Sequence, residues 1–406
     1  MSVELFPLLT HQMNFDPHTF SGQVIVITGA GRGIGFHTAR AFALLGGKVI
    51  LAELSDQGKE AERAIQSEGG DAYFFQTDVS DPNSVNNLAI RIQEKYGSAD
   101  VLINNAIFIQ QSSLLDMTLE MWDRTIAVNL RGTFLMCKAF LPAMLERDRG
   151  TILNLISTDA MPGLSAYIAS KQAITGLTQT LALEVHETDI RVIPFGPGMV
   201  DTPGIRSIAE GLAPRLGLTK DQLLNLSLHA DYEGLMPPEH AAAAAVYLTA
   251  HLADEFHGQV VNGYEVLEKA GVLKSGNTEN LFTDLSQRTT TQSQEILIQQ
   301  LADILEETET EFGQLPLFVR PMARQGFKSK AGARLSDWRQ LLNKLNSNER
   351  AIPSDMPSRL KNLVKYYREV PQETARFTKD EETLQQITKT TQKRLQIIQD
   401  LLSSIQ

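Results

Sequence analysis

The amino-acid sequence predicts a doubly wound α/β domain with a parallel sheet, followed by an additional all-α C-terminal domain. From Gln23 to about Leu267, short runs rich in β-branched residues alternate with amphipathic stretches of helix length, and turn residues bound each run. After Gly271 this alternation stops and the apolar spacing becomes helical. Continuous apolar strands separated by helices are typical of a parallel sheet covered on both faces, because both sides of each strand are then buried.

Five candidate strands follow one another along the α/β domain, and a helical stretch with an apolar face separates each from the next. The candidate strands are VIVITG, KVILAEL, ADVLINNA, GTILNLIS and IRVIPFGPG. The helical stretches are GFHTARAFALLG, SDQGKEAERAIQSEG, LEMWDRTIAVNLRGTFLMCKAFLPAML and AYIASKQAITGLTQTLALEV. We therefore predict an N-terminal extension at 1–21, the α/β domain at 22–270, a linker at 271–283 and a helical domain at 284–406.

Apolar residues three and four positions apart define the predicted helical domain. A first stripe comprises Leu297, Leu301 and Ile304. A second stripe, with near-heptad steps, comprises Leu384, Ile387, Thr391, Ile398 and Ile405. We expect four or five helices here, and the second stripe could pair with its counterpart in another subunit.

Composition places the chain among soluble globular proteins, with 42% hydrophobic and 21% charged residues. The lone cysteine, Cys137, excludes an internal disulfide and is predicted to be a buried small hydrophobe. The N-terminus lacks a basic segment before its apolar run, and the longest apolar block, AAAAAVYLTA, is shorter than the roughly 20 residues that a spanning helix needs. We expect no membrane span, a cytoplasmic location and, since no cluster of metal-ligating residues is evident, no metal.

Charge is unevenly distributed along a chain whose net charge is −11. Residues 1–270 carry 18 Lys and Arg against 31 Asp and Glu, whereas 271–406 carry 19 against 17. A basic block, Arg320 to Arg368, could contact nucleic acid, an anionic lipid surface or an acidic partner, but the favoured interpretation is a solvated face. We do not expect nucleic acid as a partner, because aromatic residues make up only 7% of an acidic chain.

The stretch TGAGRGIG, from Thr28 to Gly35, lies between the first candidate strand and its helix. Glycine permits positive φ and close approach of a ligand to the backbone, and a helix N-terminus presents N–H groups to an anion. The stretch is therefore predicted to bind the phosphates of a nucleotide. The alternative is a glycine-rich turn with no ligand.

A carboxylate at the end of the second strand bears on which nucleotide is bound. Glu53 follows Gly35 by 18 residues. A carboxylate here can accept hydrogen bonds from the adenosine ribose hydroxyls and would repel a 2′-phosphate, whereas the guanidinium of Arg32 could pair with that phosphate. Because Glu53 lies where the ribose should be, we predict NAD, with NADP less favoured.

The segment YIASK places Tyr167 and Lys171 four residues apart, on one face of a helix. A free tyrosine has a pKa near 10, and a neighbouring ammonium lowers that pKa by stabilising the phenolate. Tyr167 is therefore a candidate general acid and base, tuned by Lys171.

Together, the T-G-x-x-x-G-x-G spacing of Thr28 to Gly35 and the Y-x-x-x-K spacing of YIASK resemble the classical short-chain dehydrogenase/reductase family, over residues 22 to about 268. The resemblance implies a Rossmann-type fold, hydride transfer between NAD(H) and a secondary alcohol or ketone, and a homo-oligomer that is a dimer or tetramer. It implies that Ser157 stabilises the substrate oxygen and that Asn129 holds a water of the proton relay.

The site residues implied by the resemblance fall into two groups. The catalytic residues are Asn129, Ser157, Tyr167 and Lys171. Among the cofactor-binding residues, Asp78 and Val79 contact adenine, and a P-G segment covers the nicotinamide. The cofactor-binding residues are Thr28, Gly29, Gly31, Arg32, Gly33, Ile34, Gly35, Glu53, Asp78, Val79, Asn105, Ala106, Tyr167, Lys171, Pro197, Gly198, Val200 and Thr202.

Two features depart from the family pattern. Ile107 replaces the glycine of N-N-A-G, and the loop between Ser157 and Tyr167 is shorter than in most members. Residues 204–236 take the place of the mobile substrate lid, and their leucines are expected to pack the lid onto the body. The alternative function is a cofactor-sensing interaction or scaffold protein that acts through the helical domain.

Overall fold

The computed structural model describes residues 5–157, 160–274, 281–315, 317, 320–346, 353–375 and 380–404. The chain divides into two compact units between Phe282 and Thr283, and each unit has its own apolar core. The helix that begins at Leu281 crosses this division. Within the predicted linker, 275–280 lie outside the described residues.

The first unit contains a seven-stranded parallel sheet of order β3-β2-β1-β4-β5-β6-β7, which confirms the predicted doubly wound fold. The order reverses between β1 and β4, and in such sheets ligands bind at this point, beyond the carboxyl ends of the strands. The strands are β1 Val24–Thr28, β2 Lys48–Glu53, β3 Asp71–Gln76, β4 Val101–Asn104, β5 Gly150–Leu155, β6 Ile190–Gly196 and β7 Val261–Asn262.

Helices of the first unit connect the strands and cover both faces of the sheet. Two of them, Leu119–Ile126 and Gly132–Glu146, are joined by the π-helical turn Ala127–Arg131. The remaining α-helices of eight or more residues are Gly33–Leu44, Gln57–Ser67, Pro82–Tyr96, Ser165–Glu184, Pro203–Leu212 and Pro238–Tyr247. Shorter helices are Leu5–Pro7, Lys220–Leu224 and Gly263–Lys269.

The core of the first unit lies in two apolar clusters, one on each face of the sheet. Alternate residues of β1 belong to different clusters, Ile25 and Ile27 to one and Val24 and Val26 to the other, because successive side chains of a strand point to opposite faces. All five residues of β1 are buried. The N-terminal extension contributes to the first of these clusters, since its Leu8 is buried there.

The second unit is a bundle of five helices within the described residues. Its core includes Trp338 and Tyr367, both almost completely buried. The Tyr367 hydroxyl forms a hydrogen bond with Thr308 in another helix. The helices are Leu281–Gln314, Arg320–Ala331, Leu335–Asn346, Met356–Thr374 and Glu381–Ser404.

The apolar stripe of the last helix packs inside this bundle. Ile398 is completely buried in the core cluster, Thr391 is 3% exposed, and Ile405 lies outside the described residues. The expectation that this stripe pairs with another subunit is therefore wrong for its buried positions. Heptad-like spacing marks an apolar face without identifying the helix that covers it.

Candidate active site

The glycine-rich loop after β1 is packed against the loop after β4. Gly29 has φ +63°, and a Cβ there would lie 2.8 Å from Ala106 Cα. A Cβ on Gly35 would lie 2.3 Å from the carbonyl oxygen of Gly29, a contact that no side chain could tolerate. The Asn105 amide donates to the Thr28 and Gly29 carbonyls at 2.9 and 3.0 Å, and Thr28 Oγ1 accepts from the Asn105 N–H at 3.0 Å. The two loops therefore form one rigid cradle.

The helix that leaves this cradle, Gly33–Leu44, begins without a side-chain cap. The N-cap residue of this helix is Arg32, and its side chain forms no hydrogen bond with the first turn. By contrast, Asp81 and Thr118 cap the helices that follow them. The first N–H groups of an α-helix have no intrahelical partner, and an anion can satisfy them. The cradle therefore fits a phosphate group.

Glu53 borders the cradle at the end of β2. Its Oε2 accepts from the Gly31 N–H at 3.3 Å, and its Oε1 accepts from the Ser55 N–H and hydroxyl at 3.0 and 2.9 Å. A Cβ on Gly31 would lie 3.0 Å from Glu53 Cγ. Arg32 is exposed. These hydrogen bonds fix the Glu53 carboxylate beside the glycine loop.

Asp78 and Val79 lie in the loop after β3. Asp78 Oδ1 accepts from the Ser80 N–H and hydroxyl at 2.8 and 2.7 Å. Val79 is buried, and a Cβ on Gly132 would lie 2.9 Å from its side chain. The loop is thus held in place at the carboxyl ends of the strands, where the cradle also lies.

The segment after β6 also reaches the cradle. Thr202 Oγ1 accepts from the Ile205 N–H at 3.3 Å and caps the helix Pro203–Leu212. A Cβ on Gly33 would lie 3.5 Å from Thr202 Cγ2. Val200, which precedes Thr202, is buried and pairs with Met236. Pro197 and Gly198 begin this segment directly after β6. In the cradle itself, Ile34 is partly buried against the core.

Tyr167 and Ser157 lie close together in the structure, although the loop that joins them is shorter than in most members of the family. Tyr167 lies in the first turn of the helix Ser165–Glu184, and Ser157 follows the end of β5. Burial raises the pKa of Tyr167 to about 12, and a side-chain hydrogen bond with Ser157 acts in the opposite direction. Between them, Thr158 and Asp159 lie outside the described residues.

Lys171 is buried one helical turn after Tyr167. Its Nζ donates to the Leu155 carbonyl at 2.6 Å and lies 5.9 Å from the centroid of the Tyr167 ring. Burial lowers the pKa of Lys171 to about 7, because a site with little solvent disfavours the charged ammonium. In this structure, burial and Ser157 determine the pKa of Tyr167. That Lys171 lowers the pKa of Tyr167 stays a prediction for the nucleotide-bound protein.

Lys171→Met is expected to remove a pH-dependent part of the stability. Between about pH 7 and 10.5 the unfolded chain holds a proton on Lys171 that the folded protein lacks, so the free energy of unfolding of the wild type rises with pH in this window. Below the window, the cost of folding with a charged lysine is constant and amounts to a few kcal/mol. Urea unfolding of both proteins at the two ends of the window measures the difference. A constant difference would contradict the shifted pKa.

Asn129 joins the loop after β4 to the helix of Tyr167. It is completely buried, in the π-helical turn Ala127–Arg131, a type of turn that is frequent at functional sites. Its Oδ1 accepts from the Phe108 N–H at 2.7 Å, and its Nδ2 donates to the Phe108 carbonyl at 3.1 Å and to Ser170 Oγ at 3.0 Å. Ser170 in turn donates to the Tyr167 carbonyl at 2.6 Å.

Sequence reasoning missed both Phe108 and Ser170. Ser170 directly precedes Lys171 in YIASK. Its position on the inner face of the helix could have marked it as a residue of the site. Nothing in the sequence marks Phe108, because its contact with Asn129 is made through the backbone. Asn129 thus acts on the site mainly by fixing the backbone on either side.

The segment 204–236, which takes the place of the family's substrate lid, packs onto the body beside Tyr167. Its Leu212, Leu216 and Leu223 are buried in a cluster against which Tyr167 packs, as expected from the sequence. Ile107, which replaces the family's glycine, is 47% exposed. Its side chain therefore does not crowd the cradle, where Gly29 approaches the backbone closely.

Cys137 lies in a buried polar network below the site. It is 4% exposed, and the Asn104 amide donates to its sulfur at 3.4 Å and to Asn154 Oδ1 at 2.7 Å. Burial raises the pKa of the Cys137 thiol to about 12. The prediction of a buried cysteine is confirmed.

The Cys137 thiol is expected not to react with a disulfide reagent at neutral pH in the native protein, because a buried, protonated thiol is neither accessible nor nucleophilic. Reaction of one thiol per chain should follow unfolding in urea. Rapid reaction of the folded protein would contradict the buried position.

The described part of the chain contains no group of three or more His, Cys, Asp or Glu residues arranged to hold a metal ion. Among the same residues, no helix is long and apolar enough to cross a membrane.

Comparisons with known proteins bear on the family and the fold of the first unit. The family model "short chain dehydrogenase" matches residues 23–213. An uncharacterized oxidoreductase of Thermotoga maritima is 40% identical over 185 residues, which are 45% of this chain and 72% of that protein. The D-beta-hydroxybutyrate dehydrogenase of Cupriavidus necator is 31% identical over 248 residues, which are 60% of this chain and 96% of that protein.

Solved structures agree with the fold. A variant actinorhodin polyketide ketoreductase with NADPH matches with a TM-score of 0.56 at 28% identity, over 59% of this chain and 95% of that one. A putative NAD(P) dependent gluconate 5-dehydrogenase from Beutenbergia cavernae with bound NADP matches with a TM-score of 0.53 at 29% identity, over 61% and 97%. The predicted Rossmann-type fold is confirmed. The chain belongs to the short-chain dehydrogenase family of NAD(P)-dependent oxidoreductases.

Proposed function

We propose that the protein transfers a hydride between NAD(H) and a secondary alcohol or ketone. The observation that carries this proposal is the position of Tyr167 beside Ser157 and one helical turn from the buried Lys171, at the carboxyl ends of the strands, where the uncapped glycine cradle also lies. The D-beta-hydroxybutyrate dehydrogenase and the polyketide ketoreductase among the similar proteins support a substrate with a hydroxyl or carbonyl group.

The chain's own residues handle the proton and the oxygen of the substrate. Bound nicotinamide supplies or accepts the hydride at its C4. Tyr167 gives a proton to the carbonyl oxygen or takes it from the hydroxyl, and Ser157 hydrogen-bonds that oxygen as charge develops. Lys171 holds the nicotinamide ribose and lowers the pKa of Tyr167. Asn129 fixes the backbone beside Tyr167 and completes the proton relay through a water.

The cradle and the loops around it hold the nucleotide in this proposal. The uncapped start of the helix Gly33–Leu44 would hold the phosphates, Asp78 and Val79 would contact the adenine, and the segment from Pro197 to Thr202 would cover the nicotinamide. Glu53 accepts the ribose hydroxyls and repels a 2′-phosphate, which favours NAD over NADP. The similar structures contain NADPH and NADP, so the preference for NAD rests on Glu53 alone.

Glu53→Gln is expected to raise the affinity for NADPH about tenfold relative to NADH, because the charge that repels a 2′-phosphate is removed while the side chain keeps its shape. Fluorescence titration with each nucleotide measures this ratio. Glu60→Gln, an exposed change in the next helix, is the matched control and should leave the ratio unchanged. An unchanged ratio in Glu53→Gln, or tighter binding of NADPH by the wild type, would refute the assignment of Glu53.

We also propose a homo-oligomer, a dimer or tetramer, on the strength of the family resemblance, and a cytoplasmic location on the strength of the lone cysteine, which is compatible with a reducing compartment. Sedimentation equilibrium of the full-length protein gives the number of subunits.

A further inference from the structure

The helical unit contains a cavity of about 590 Å³. Four helices surround it, and residues from Leu281–Gln314, Arg320–Ala331, Met356–Thr374 and Glu381–Ser404 all line it. Ligand sites of proteins have volumes of about 300 to 1,000 Å³ and occur between the helices of bundles. The cavity is thus large enough for a small organic molecule.

The walls of the cavity are mainly apolar and aromatic. They include Phe312, Leu315, Phe327, Tyr366, Val370 and Ile387. The remaining lining contains the hydroxyls of Thr390 and Thr391 and the amide of Gln386, each able to form a hydrogen bond with a polar group of a ligand.

Small residues of the helix Arg320–Ala331 keep the cavity open. Ala323 and Gly326 both line it, and a Cβ on Gly326 would meet no atom within 4 Å. Glycine inside a helix costs about 0.5 to 1 kcal/mol relative to alanine. Packing does not require glycine at this position, and a larger side chain here could readily fill the space. The space beside Gly326 is therefore better explained by a ligand than by a packing void.

One guanidinium and two carboxylates meet at one wall of the cavity. Arg394 and Glu311 both line it, and the Arg394 guanidinium donates to Glu311 at 2.8 and 3.2 Å. The same guanidinium donates to Glu307 at 2.9 Å. The Nε of Arg394 has no hydrogen-bond partner among the described residues, but two carboxylates already neutralise the guanidinium. The described lining of the cavity therefore offers no unpaired cation for a carboxylate or phosphate of a ligand.

We propose that this cavity binds an uncharged amphiphile with an apolar body and a hydroxyl or carbonyl head. The apolar body contacts the aromatic walls, and the head forms hydrogen bonds with Thr390, Thr391 or Gln386. This site lies in the helical unit and does not depend on the hydride-transfer chemistry of the first unit.

Titration of the full-length protein with N-phenyl-1-naphthylamine, an uncharged apolar fluorophore, tests the proposal. Gly326→Leu and Ala323→Leu both fill the cavity and are expected to weaken binding at least about tenfold. Gly313→Leu is the matched control, because Gly313 is an exposed helical glycine that does not line the cavity and also has no atom within 4 Å of a Cβ. It should bind as the wild type does, and circular dichroism shows that all three variants are folded.

Displacement of the fluorophore identifies the class of ligand. Decanol is expected to compete at least about tenfold better than decanoate or decylamine. Absence of binding to the wild type, equal binding by the wild type and both cavity-filling variants, or preferential displacement by decanoate or decylamine would overturn the proposal.

Discussion

Replacing Tyr167 with phenylalanine is expected to lower kcat by a factor of about 10² to 10⁴ while NADH still binds, because general acid and base catalysis typically contributes a factor of this size. The substitution removes the hydroxyl whose pKa Ser157 lowers and keeps the ring that packs against the apolar cluster of residues 204–236. Steady-state turnover of an alcohol or ketone, together with NADH titration of the same preparation, separates loss of chemistry from loss of binding.

Tyr73→Phe is the matched control for this experiment. Tyr73 lies in β3 at the edge of the sheet, and its hydroxyl interacts with Asp71. Its loss should leave kcat and nucleotide affinity as in the wild type. Turnover by Tyr167→Phe at close to the wild-type rate would refute the role of Tyr167, whatever the result for Tyr73→Phe.

Gly35→Ala is expected to abolish nucleotide binding and to destabilise the protein. The added Cβ would lie 2.3 Å from the Gly29 carbonyl oxygen and 2.5 Å from Asn105 Nδ2, so the hydrogen bonds that join the two loops of the cradle must break or lengthen. We expect NADH affinity to fall at least about a hundredfold, which corresponds to about 2.8 kcal/mol. Fluorescence titration and urea unfolding measure the two effects.

Gly176→Ala provides the comparison for that change. Gly176 lies inside the helix Ser165–Glu184, and a Cβ there would meet no atom within 4 Å. Alanine should therefore stabilise this helix by about 0.5 to 1 kcal/mol without an effect on NADH. If Gly35→Ala bound NADH as well as Gly176→Ala does, the cradle would not be the nucleotide site.

Most of the fold could be predicted because the strands of a parallel sheet are buried on both faces. β1, β4 and β5 read as continuous apolar runs for this reason. Two of the seven strands, β7 and β3, are not among the five candidate strands, and both lie at an edge of the sheet. The side chains of β3 are only partly buried. Its sequence, DAYFFQ, lacks the continuous run of branched residues that marks the others.

The candidate site could be predicted only where the spacing of residues along the sequence determines which side chains lie on the same face of a helix. The four-residue step from Tyr167 to Lys171 places both side chains on one helix face, but it does not show that Lys171 Nζ donates to the Leu155 carbonyl. The π-helical turn that orients Asn129 depends on tertiary contacts with Phe108 and Ser170. Such backbone contacts leave no pattern of residue types in the sequence.

The most direct test of the proposed function is label transfer from NADH deuterated at C4 to a panel of ketones, measured by mass spectrometry of the alcohol products. We expect deuterium on the carbinol carbon of at least one product with the wild type, and label transfer at least about a hundredfold slower with Tyr167→Phe. Equal transfer by both proteins would contradict the role of Tyr167. Binding of NADH with no transfer to any ketone would contradict the proposed reaction and favour a cofactor-sensing scaffold.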